Sequence, residues 1–215
     1  MVWYAHPKTL TFKLTALPVG YPDGFVFPEG VTPNKAGYFD RGWCFCESSV
    51  SNLVKDSYYV LDLAKFDESV TRLNDVVRAC IAKRAPPLAP ADFSVELATK
   101  RFTSAKADRE TVRKLYEGEF EEKLGEATML QYSDLQWTDA EVATLCKALA
   151  SGKATKLEEL YLQSNQIGDA GAAALAEVAG KLPQLKYLHL FNNPKISQQA
   201  KDALKAALPN CEVNF

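Results

Sequence analysis

The chain has 215 residues, enough for one large domain or two small ones with a core that needs no metal or disulfide. Its 25 basic and 27 acidic residues give a net charge of -2, so neither nucleic acid nor an anionic membrane surface is implied as a partner. The apolar runs are far shorter than the ~20 residues that cross a bilayer, and the first residues do not resemble a signal peptide. We therefore expect a soluble, cytoplasmic protein.

The five cysteines are odd in number, and most of them fall on apolar faces of predicted helices or strands. This predicts free thiols in a reducing compartment rather than a disulfide framework. Cys44 and Cys46 lack the two-residue spacer of a redox or zinc motif, and the two histidines are His6 and His189. We therefore predict no metal and no cofactor.

The first predicted element is a strand from Thr9 to Ala16, where polar and apolar residues alternate strictly. This is the period of a half-buried strand that lies at a sheet edge or faces water on one side. Its apolar side consists of Leu10, Phe12, Leu14 and Ala16. Prolines and glycines then recur from Pro18 to Gly37 and predict a long loop.

A helix and a second strand are predicted after this loop. Apolar residues at helical spacing indicate a short amphipathic helix that faces a core. They are Trp43, Cys46, Val50, Leu53 and Val54. The run from Tyr58 to Leu63 has the composition of a more buried strand, so strand, helix and strand together predict a βαβ element.

Three more helices are predicted before the chain reaches residue 127. The first spans about 68–83, with its apolar face at Val70, Leu73, Val77, Cys80 and Ile81, and prolines from Pro86 to Pro90 end it. A short helix is predicted over 92–100. The third follows Phe102, with Asp108 as its predicted cap, and we expect it to cover the first of the repeats described next.

Two segments in the C-terminal half share one pattern at an offset of 28 residues. Each has leucine at its first, fourth and sixth positions and asparagine at its ninth. The residues are Leu157, Leu160, Leu162 and Asn165, then Leu185, Leu188, Leu190 and Asn193. A fixed period of roughly 20 to 29 residues with this pattern resembles the leucine-rich repeat, which implies strands stacked side by side in an open sheet.

A third unit precedes these two, because Leu130 aligns with Leu160 at an offset of 30 residues. The three units are followed by segments with apolar residues at the same helical spacing. These are Val142, Leu145, Cys146 and Leu149; Gly171, Ala174, Leu175 and Val178; and Ala200, Ala203, Leu204 and Ala207. The last residues, 209–215, alternate like one more strand and form a terminal half repeat.

The run from Ile167 to Ala176 closely resembles the ribonuclease-inhibitor type of leucine-rich repeat. That family consists of strand-helix horseshoes that act mainly by binding other proteins. The resemblance covers residues 130–215 and implies a short solenoid with helices on its convex side and strands on its concave face.

The repeat positions divide into structural and candidate binding residues. The leucines and the two asparagines of the pattern are assigned to the core, where inward amides bond backbone groups of neighbouring turns. Outward strand residues are the candidate partner-binding residues, because exposed aromatics on a rigid sheet are common anchors of protein contacts. They are Gln131, Tyr161, Gln163, Tyr187, His189 and Phe191. Alternatively, they only pack against one another or against the N-terminal part.

A second motif lies at Trp43-Cys44-Phe45-Cys46-Glu47. It resembles a motif of TIR-like α/β domains, whose glutamate helps to cleave the nicotinamide bond of NAD in active members. The elements expected ahead of Thr9 in that fold are absent, which implies a truncated or reduced domain. The alternative is that Glu47 pairs with Arg41 or caps local backbone groups.

These patterns together predict an α/β protein in three parts. Residues 1–85 form a partial TIR-like βαβ segment, residues 86–126 a helical connector and solenoid cap, and residues 127–215 the repeats. The first hypothesis for function is a non-enzymatic protein that binds a protein partner through its concave face. The alternatives are a remnant NAD-cleaving enzyme that uses Glu47, with the repeats as sensor, and a poorly folded fragment. Neither the partner nor the oligomeric state is predicted.

Overall fold

The computed structural model describes residues 2–17, 19–30, 35–102 and 105–215, and within them helices alternate with parallel strands, as expected of an α/β protein. The α-helices are α1 (Val2–Ala5), α2 (Gly42–Val54), α3 (Leu73–Cys80), α4 (Pro90–Ala98), α5 (Ala105–Glu126), α6 (Asp139–Leu149), α7 (Asp169–Val178) and α8 (Gln198–Ala207). The strands are β1 (Thr11–Lys13), β2 (Val60–Asp62), β3 (Met129–Gln131), β4 (Glu159–Tyr161), β5 (Tyr187–His189) and β6 (Glu212–Asn214).

The larger sheet contains four parallel strands in the order β3-β4-β5-β6. Leu130 lies opposite Leu160, and Leu160 lies opposite Leu188, so the offsets of 30 and 28 residues are the registers of the sheet. Helices α6, α7 and α8 connect successive strands and pack side by side. The central residues of β3, β4 and β5, which are Leu130, Leu160 and Leu188, are fully buried beneath the helices.

The three helices bury the predicted residues to different extents. Val142, Leu145, Cys146 and Leu149 of α6 are all buried, and so are Leu175 and Val178 of α7. In α8 only Leu204 is buried, whereas Ala203 and Ala207 are exposed. The predicted helix is therefore present, but these two alanines lie outside its buried face.

The smaller sheet contains β1 and β2, which are parallel and joined through α2, so the predicted βαβ element is confirmed. Strand β1 is shorter than predicted, and its buried side is the polar one. Thr11 and Lys13 are 7% and 1% exposed, whereas Phe12 is 53% exposed. The polar side faces the helix layer, where Lys13 Nζ donates to Ser48 Oγ of α2 at 2.7 Å.

Strand β2 is also shorter than predicted, and a 3-10 turn lies at each end of it. Asp56 accepts a hydrogen bond from the backbone N–H of Tyr58, and Asp62 accepts one from that of Ala64. Such local caps offer the backbone an alternative to the strand ladder. They therefore limit the strand to Val60–Asp62.

Helix α2 has the predicted position, with Cys46, Val50 and Leu53 fully buried, but Trp43 is 38% exposed and lies off the buried face. Helix α3 is shorter than the predicted span of 68–83 and buries only Cys80. The chain leaves α3 because Ala82 N donates to Val60 O at 2.9 Å, next to a bridge between Leu61 and Ile81.

The loop and the connector also differ in detail from prediction. The described residues between β1 and α2 hold turns and a 3-10 helix at Tyr38–Asp40, while Pro18 and residues 31–34 of the predicted loop lie outside the described residues. Pro90 opens α4 instead of only blocking a helix, which suits its fixed φ angle at the first helical position. Asp108 lies inside the first turn of α5, so it is not the cap.

The N-terminal elements and the repeats share one hydrophobic core. Helix α5 packs mainly against α2 and α4, with Tyr116 stacked on Phe93 at 3.7 Å between ring centroids. Arg84, which is 1% exposed, reaches the first repeat through a bond from Nη1 to the carbonyl oxygen of Gln131. Trp137 of that repeat donates to the carbonyl oxygen of Arg84 at 2.9 Å.

Within the described part of the chain, every helix is too short or too polar to span a membrane.

Candidate interaction face

The side of the β3-β6 sheet that points away from α6, α7 and α8 is called the strand face. Strand pairing brings the residues on either side of the buried central positions into two rows along this face. The first row is Met129, Glu159, Tyr187 and Glu212, and the second is Gln131, Tyr161, His189 and Asn214. The structure thus brings together four of the six predicted binding residues on paired strands.

Aromatic side chains form the centre of the strand face. The rings of Tyr161 and His189 are stacked, with centroids 4.4 Å apart and 13° between their planes. Tyr187 lies 6.4 Å from His189 on one side, and Phe191 meets His189 edge-on at 6.5 Å. Tyr187 and Phe191 are both 41% exposed, so the cluster is internally packed and still open to a partner.

Polar groups beside the aromatic cluster have incomplete hydrogen bonding. Gln131 Oε1 and Gln163 Oε1 are buried acceptors that find no partner among the described residues. Tyr161 donates its hydroxyl to the carboxylate of Glu159, a bond that raises the pKa of Tyr161. Two unpaired amide oxygens next to exposed aromatics can receive donors from a bound chain.

The two asparagines of the leucine pattern hold the loops that follow the strands. Asn165 Oδ1 accepts from the backbone N–H groups of Leu135 and Trp137, at 3.1 and 3.0 Å, and Nδ2 donates to the carbonyl oxygen of Tyr132 at 2.8 Å. Asn193 repeats the arrangement one unit later, with Oδ1 accepting from Ile167 N at 3.1 Å. Each amide therefore links its own loop to the preceding repeat.

In each of the three units, the residue before the inward loop position has a left-handed backbone conformation. The inward positions are Leu135, Asn165 and Asn193. The φ angles are 58° at Asp134, 56° at Ser164 and 57° at Asn192. This conformation is uncommon outside glycine, so its recurrence shows one loop geometry in all three units. It turns the next side chain, Leu135, Asn165 or Asn193, into the core, where all three are buried.

Two aspartates also join adjacent units, and the sequence patterns missed them. Asp139 Oδ1 accepts from the backbone N–H groups of Gly168 and Gly171, at 2.6 and 3.0 Å. Asp169 Oδ1 accepts from Ser197 N at 2.6 Å, and this bond keeps the pKa of Asp169 below its usual value. An acidic residue at the start of a helix is common, so neither aspartate stands out in the sequence. The one signal is that Asp139 and Asp169 are 30 residues apart, which is also the offset between the first two repeats.

A cleft of about 600 Å³ lies where the first strand of the face meets the N-terminal part. Met129 and Gln131 of β3 line one side, and His6, Lys8 and Tyr59 line another. Gln131 belongs to the lining of the cleft and to the second row of the strand face. The cleft therefore continues the strand face beyond β3.

Glu47 has different surroundings from those predicted. Its carboxylate accepts a hydrogen bond from Tyr4, and burial raises the pKa of Glu47 despite that bond. The predicted pairing with Arg41 is wrong, because among the described residues no ion pair joins it to Glu47, and Arg41 Nε donates to the carbonyl oxygen of Ala36 at 2.9 Å. Glu47 lines neither the cleft beside β3 nor the second large cleft, which lies between α2, α4 and α6.

All five cysteines are free, and three of them are buried. Burial raises the pKa of Cys46 and of Cys146 to about 12, so these thiols stay protonated and poorly reactive at neutral pH. Among the described residues, no group of three or more His, Cys, Asp and Glu side chains could hold a metal ion.

Part of this region matches a known type of repeat. Residues 155–205 match a sequence model described as Leucine Rich repeats (2 copies), so this span contains two leucine-rich repeats. No curated protein matches the chain. Among solved structures, the chain is similar to Leiomodin-1 Actin-Binding Site 2, with 17% sequence identity and a TM-score of 0.38. That match covers 45% of this chain and 60% of the other.

Proposed function

We propose that this protein is a non-enzymatic interaction protein that binds a protein partner through the strand face. The observation that carries the proposal is the half-open aromatic cluster of Tyr161, Tyr187, His189 and Phe191 on a rigid parallel sheet. Aromatic side chains offer large contact area with little conformational entropy to lose, so they are frequent anchors of interfaces. The two leucine-rich repeats at 155–205 favour the same class of function.

The wider architecture belongs to the proposal as well. We propose that β3 to β6 and α6 to α8 form a short solenoid of the ribonuclease-inhibitor type, with the strand face as its concave side. The register of β3 with β4 supports counting residues 129–149 as a third unit ahead of the two matched ones. The five free thiols support a cytoplasmic location, where reduced cysteines persist.

The chemistry of the strand face indicates the kind of segment it would accept. Its two rows contain the carboxylates of Glu159 and Glu212 and no lysine or arginine. A basic side chain placed on the aromatic cluster gains cation-π attraction as well as charge attraction. Backbone or side-chain donors of the same segment would satisfy Gln131 Oε1 and Gln163 Oε1. The proposed partner therefore presents an extended segment with at least one Lys or Arg.

Affinity capture with the intact chain and a matched pair of double variants tests this proposal. Tyr161→Ala with Phe191→Ala should abolish capture of the partners that the unaltered chain retains. Tyr58→Ala with Phe66→Ala removes two exposed aromatics from the N-terminal part and should leave capture unchanged, since these residues are 56% and 47% exposed and belong neither to the strand face nor to the cleft that continues it. If the first double variant retains every partner, the proposal is wrong.

The NAD-cleaving alternative gains no support from the surroundings of Glu47. Hydrolysis needs a pocket beside the carboxylate lined by backbone donors or basic groups. Glu47 instead meets the Tyr4 hydroxyl and lines neither of the two large clefts.

A further inference from the structure

A second cleft, of about 620 Å³, lies between α2, α4 and α6, away from the strand face. Its volume is in the range of small-molecule sites, roughly 300–1,000 Å³. Its walls are apolar and its floor is polar. The wall side chains are Phe39, Phe45, Leu88 and Val95, and the floor side chains are Ser48 and Asn52.

Asn52 supplies an acceptor that the protein itself leaves unused. The residue is 4% exposed, and its Oδ1 finds no hydrogen-bond partner among the described residues. Its backbone carbonyl oxygen is already occupied, because Arg84 Nη2 donates to it at 2.9 Å. A buried unpaired acceptor costs free energy, and a ligand N–H in the cleft would relieve that cost.

Ser48 supplies a donor one helical turn before Asn52 on the same face of α2. Its Oγ accepts a hydrogen bond from Lys13 Nζ at 2.7 Å. The hydroxyl hydrogen of Ser48 goes to none of the described residues, in contrast to Ser51, which donates to the carbonyl oxygen of Glu47 at 2.8 Å. The buried ammonium of Lys13 polarises this hydroxyl toward a ligand oxygen.

The apolar walls have room for a flat group. Phe45 stacks on Phe93 with one face, at 5.0 Å between ring centroids, and Lys100 Nζ lies over its ring at 4.7 Å, so Phe45 lines the cleft with its ring edge. Phe39 and Val95 also line the cleft and remain 48% and 72% exposed. A planar ligand between them would cover apolar surface that is otherwise in water.

The rim favours a neutral ligand over an anion. Lys83 and Lys147 are balanced there by Asp92, Glu96 and Glu141, so no net positive field faces the opening.

We infer that this cleft binds a small, neutral, planar molecule that carries an amide. In this arrangement the amide oxygen accepts from the Ser48 hydroxyl, the amide N–H donates to Asn52 Oδ1, and the ring packs between Phe39 and Val95.

Benzamide is the simplest probe with these features, and acetophenone is its matched control because it keeps the ring and carbonyl but lacks the N–H. Both are titrated into the intact, isotope-labelled chain and followed by amide resonances. Benzamide should shift the resonances of Ser48, Asn52 and their neighbours on α4 saturably, with millimolar affinity. Acetophenone should bind at least fivefold more weakly. Equal affinity for the two compounds, or benzamide shifts that do not saturate, would overturn the inference.

Two variants assign the effect to the floor of the cleft. Asn52→Ala should weaken benzamide binding about tenfold while leaving the affinity for acetophenone unchanged. Ser49→Ala changes a neighbouring residue of the lining and should have no effect on either compound. Benzamide binding that survives Asn52→Ala would contradict the inference. If that variant does not fold, the comparison of the two compounds on the unaltered chain still decides.

Discussion

At the scale of single residues, the N-terminal part contains cations in places where lysine and arginine are rarely found. Lys13, Lys55 and Arg84 are each at most 1% exposed, and each donates to hydroxyl or carbonyl oxygens. Burial, with the charge of Arg84 second, lowers the pKa of Lys13 to about 8. The same two causes lower the pKa of Lys55 to about 8.

The lowered pKa of Lys13 makes stability depend on pH in a definite direction. The unfolded chain binds the proton up to a pH of about 10.4, whereas the folded chain begins to lose it near pH 8. Between these values the unfolded state binds more protons, so the contribution of Lys13 to stability rises with pH. Lys13→Met should therefore raise the free energy of unfolding at pH 7 by on the order of 2 kcal/mol, since it removes an unpaired buried charge.

Urea unfolding at pH 7 and pH 10 measures this effect, with Lys181→Met, an exposed position, as the control. The gain in free energy of unfolding from Lys13→Met should be smaller at pH 10 than at pH 7. The control should have the same free energy of unfolding as the unaltered chain at both pH values. A variant that is equally destabilised at both pH values would show instead that the bond to Ser48 outweighs the charge.

At the scale of elements, the spacing between neighbouring repeats depends on Gly171 at the start of α7. A Cβ at this position would lie 2.7 Å from Asp139 Oδ1 and 2.7 Å from Ile167 Cγ2. Asp139 is held in place because the same oxygen accepts from the N–H groups of Gly168 and Gly171, and Ile167 is fully buried. Gly171 therefore allows the close approach of α7 to the start of α6.

Replacing this glycine should have the opposite effect to replacing a glycine in open space. Gly171→Ala should destabilise the protein by about 1 to 2 kcal/mol, because overpacking exceeds the gain in helix propensity. Gly118→Ala, in α5 with nothing within 4 Å of the added Cβ, should stabilise it by up to about 1 kcal/mol. Thermal or urea unfolding of the two variants compares them directly. If both substitutions change the free energy of unfolding in the same direction, the approach of α7 to α6 is not tight.

The elements also show why some predictions succeeded and others failed. A repeated pattern carries its own register, so the strands β3 to β6 and the roles of Asn165 and Asn193 followed from the sequence. Alternation in β1 fixed which residues share a side but not which side faces the helices. The cleft with Ser48 and Asn52 joins residues far apart in the chain, and no local pattern indicates such a site.

At the scale of the whole molecule, the predicted three-part division stays a prediction, and the core crosses its borders. Tyr132 of the first repeat donates its hydroxyl to the carbonyl oxygen of Leu53 in α2, and its ring lies 4.9 Å from the guanidinium of Arg84. Phe93 of α4 stacks between Phe45 of α2 and Tyr116 of α5. These contacts tie the N-terminal part, the connector and the repeats into one buried cluster.

One shared core should unfold in a single step. Urea unfolding followed by far-UV circular dichroism and by tryptophan fluorescence should give one midpoint, because Trp137 lies at the junction between Arg84 and the repeats. Two separated transitions would show that the N-terminal part and the repeats fold independently. Protease resistance before Pro86 should be lost in the same range of urea concentration.

The central claim is that the strand face is the binding surface, and the affinity of a captured partner for the two double variants tests it most directly. With the partner titrated against each purified chain, Tyr161→Ala with Phe191→Ala should raise the dissociation constant at least tenfold, about 1.4 kcal/mol or more. Tyr58→Ala with Phe66→Ala should leave it within twofold of the unaltered chain. An unchanged constant for the first pair, or a comparable loss for the second, would contradict the claim.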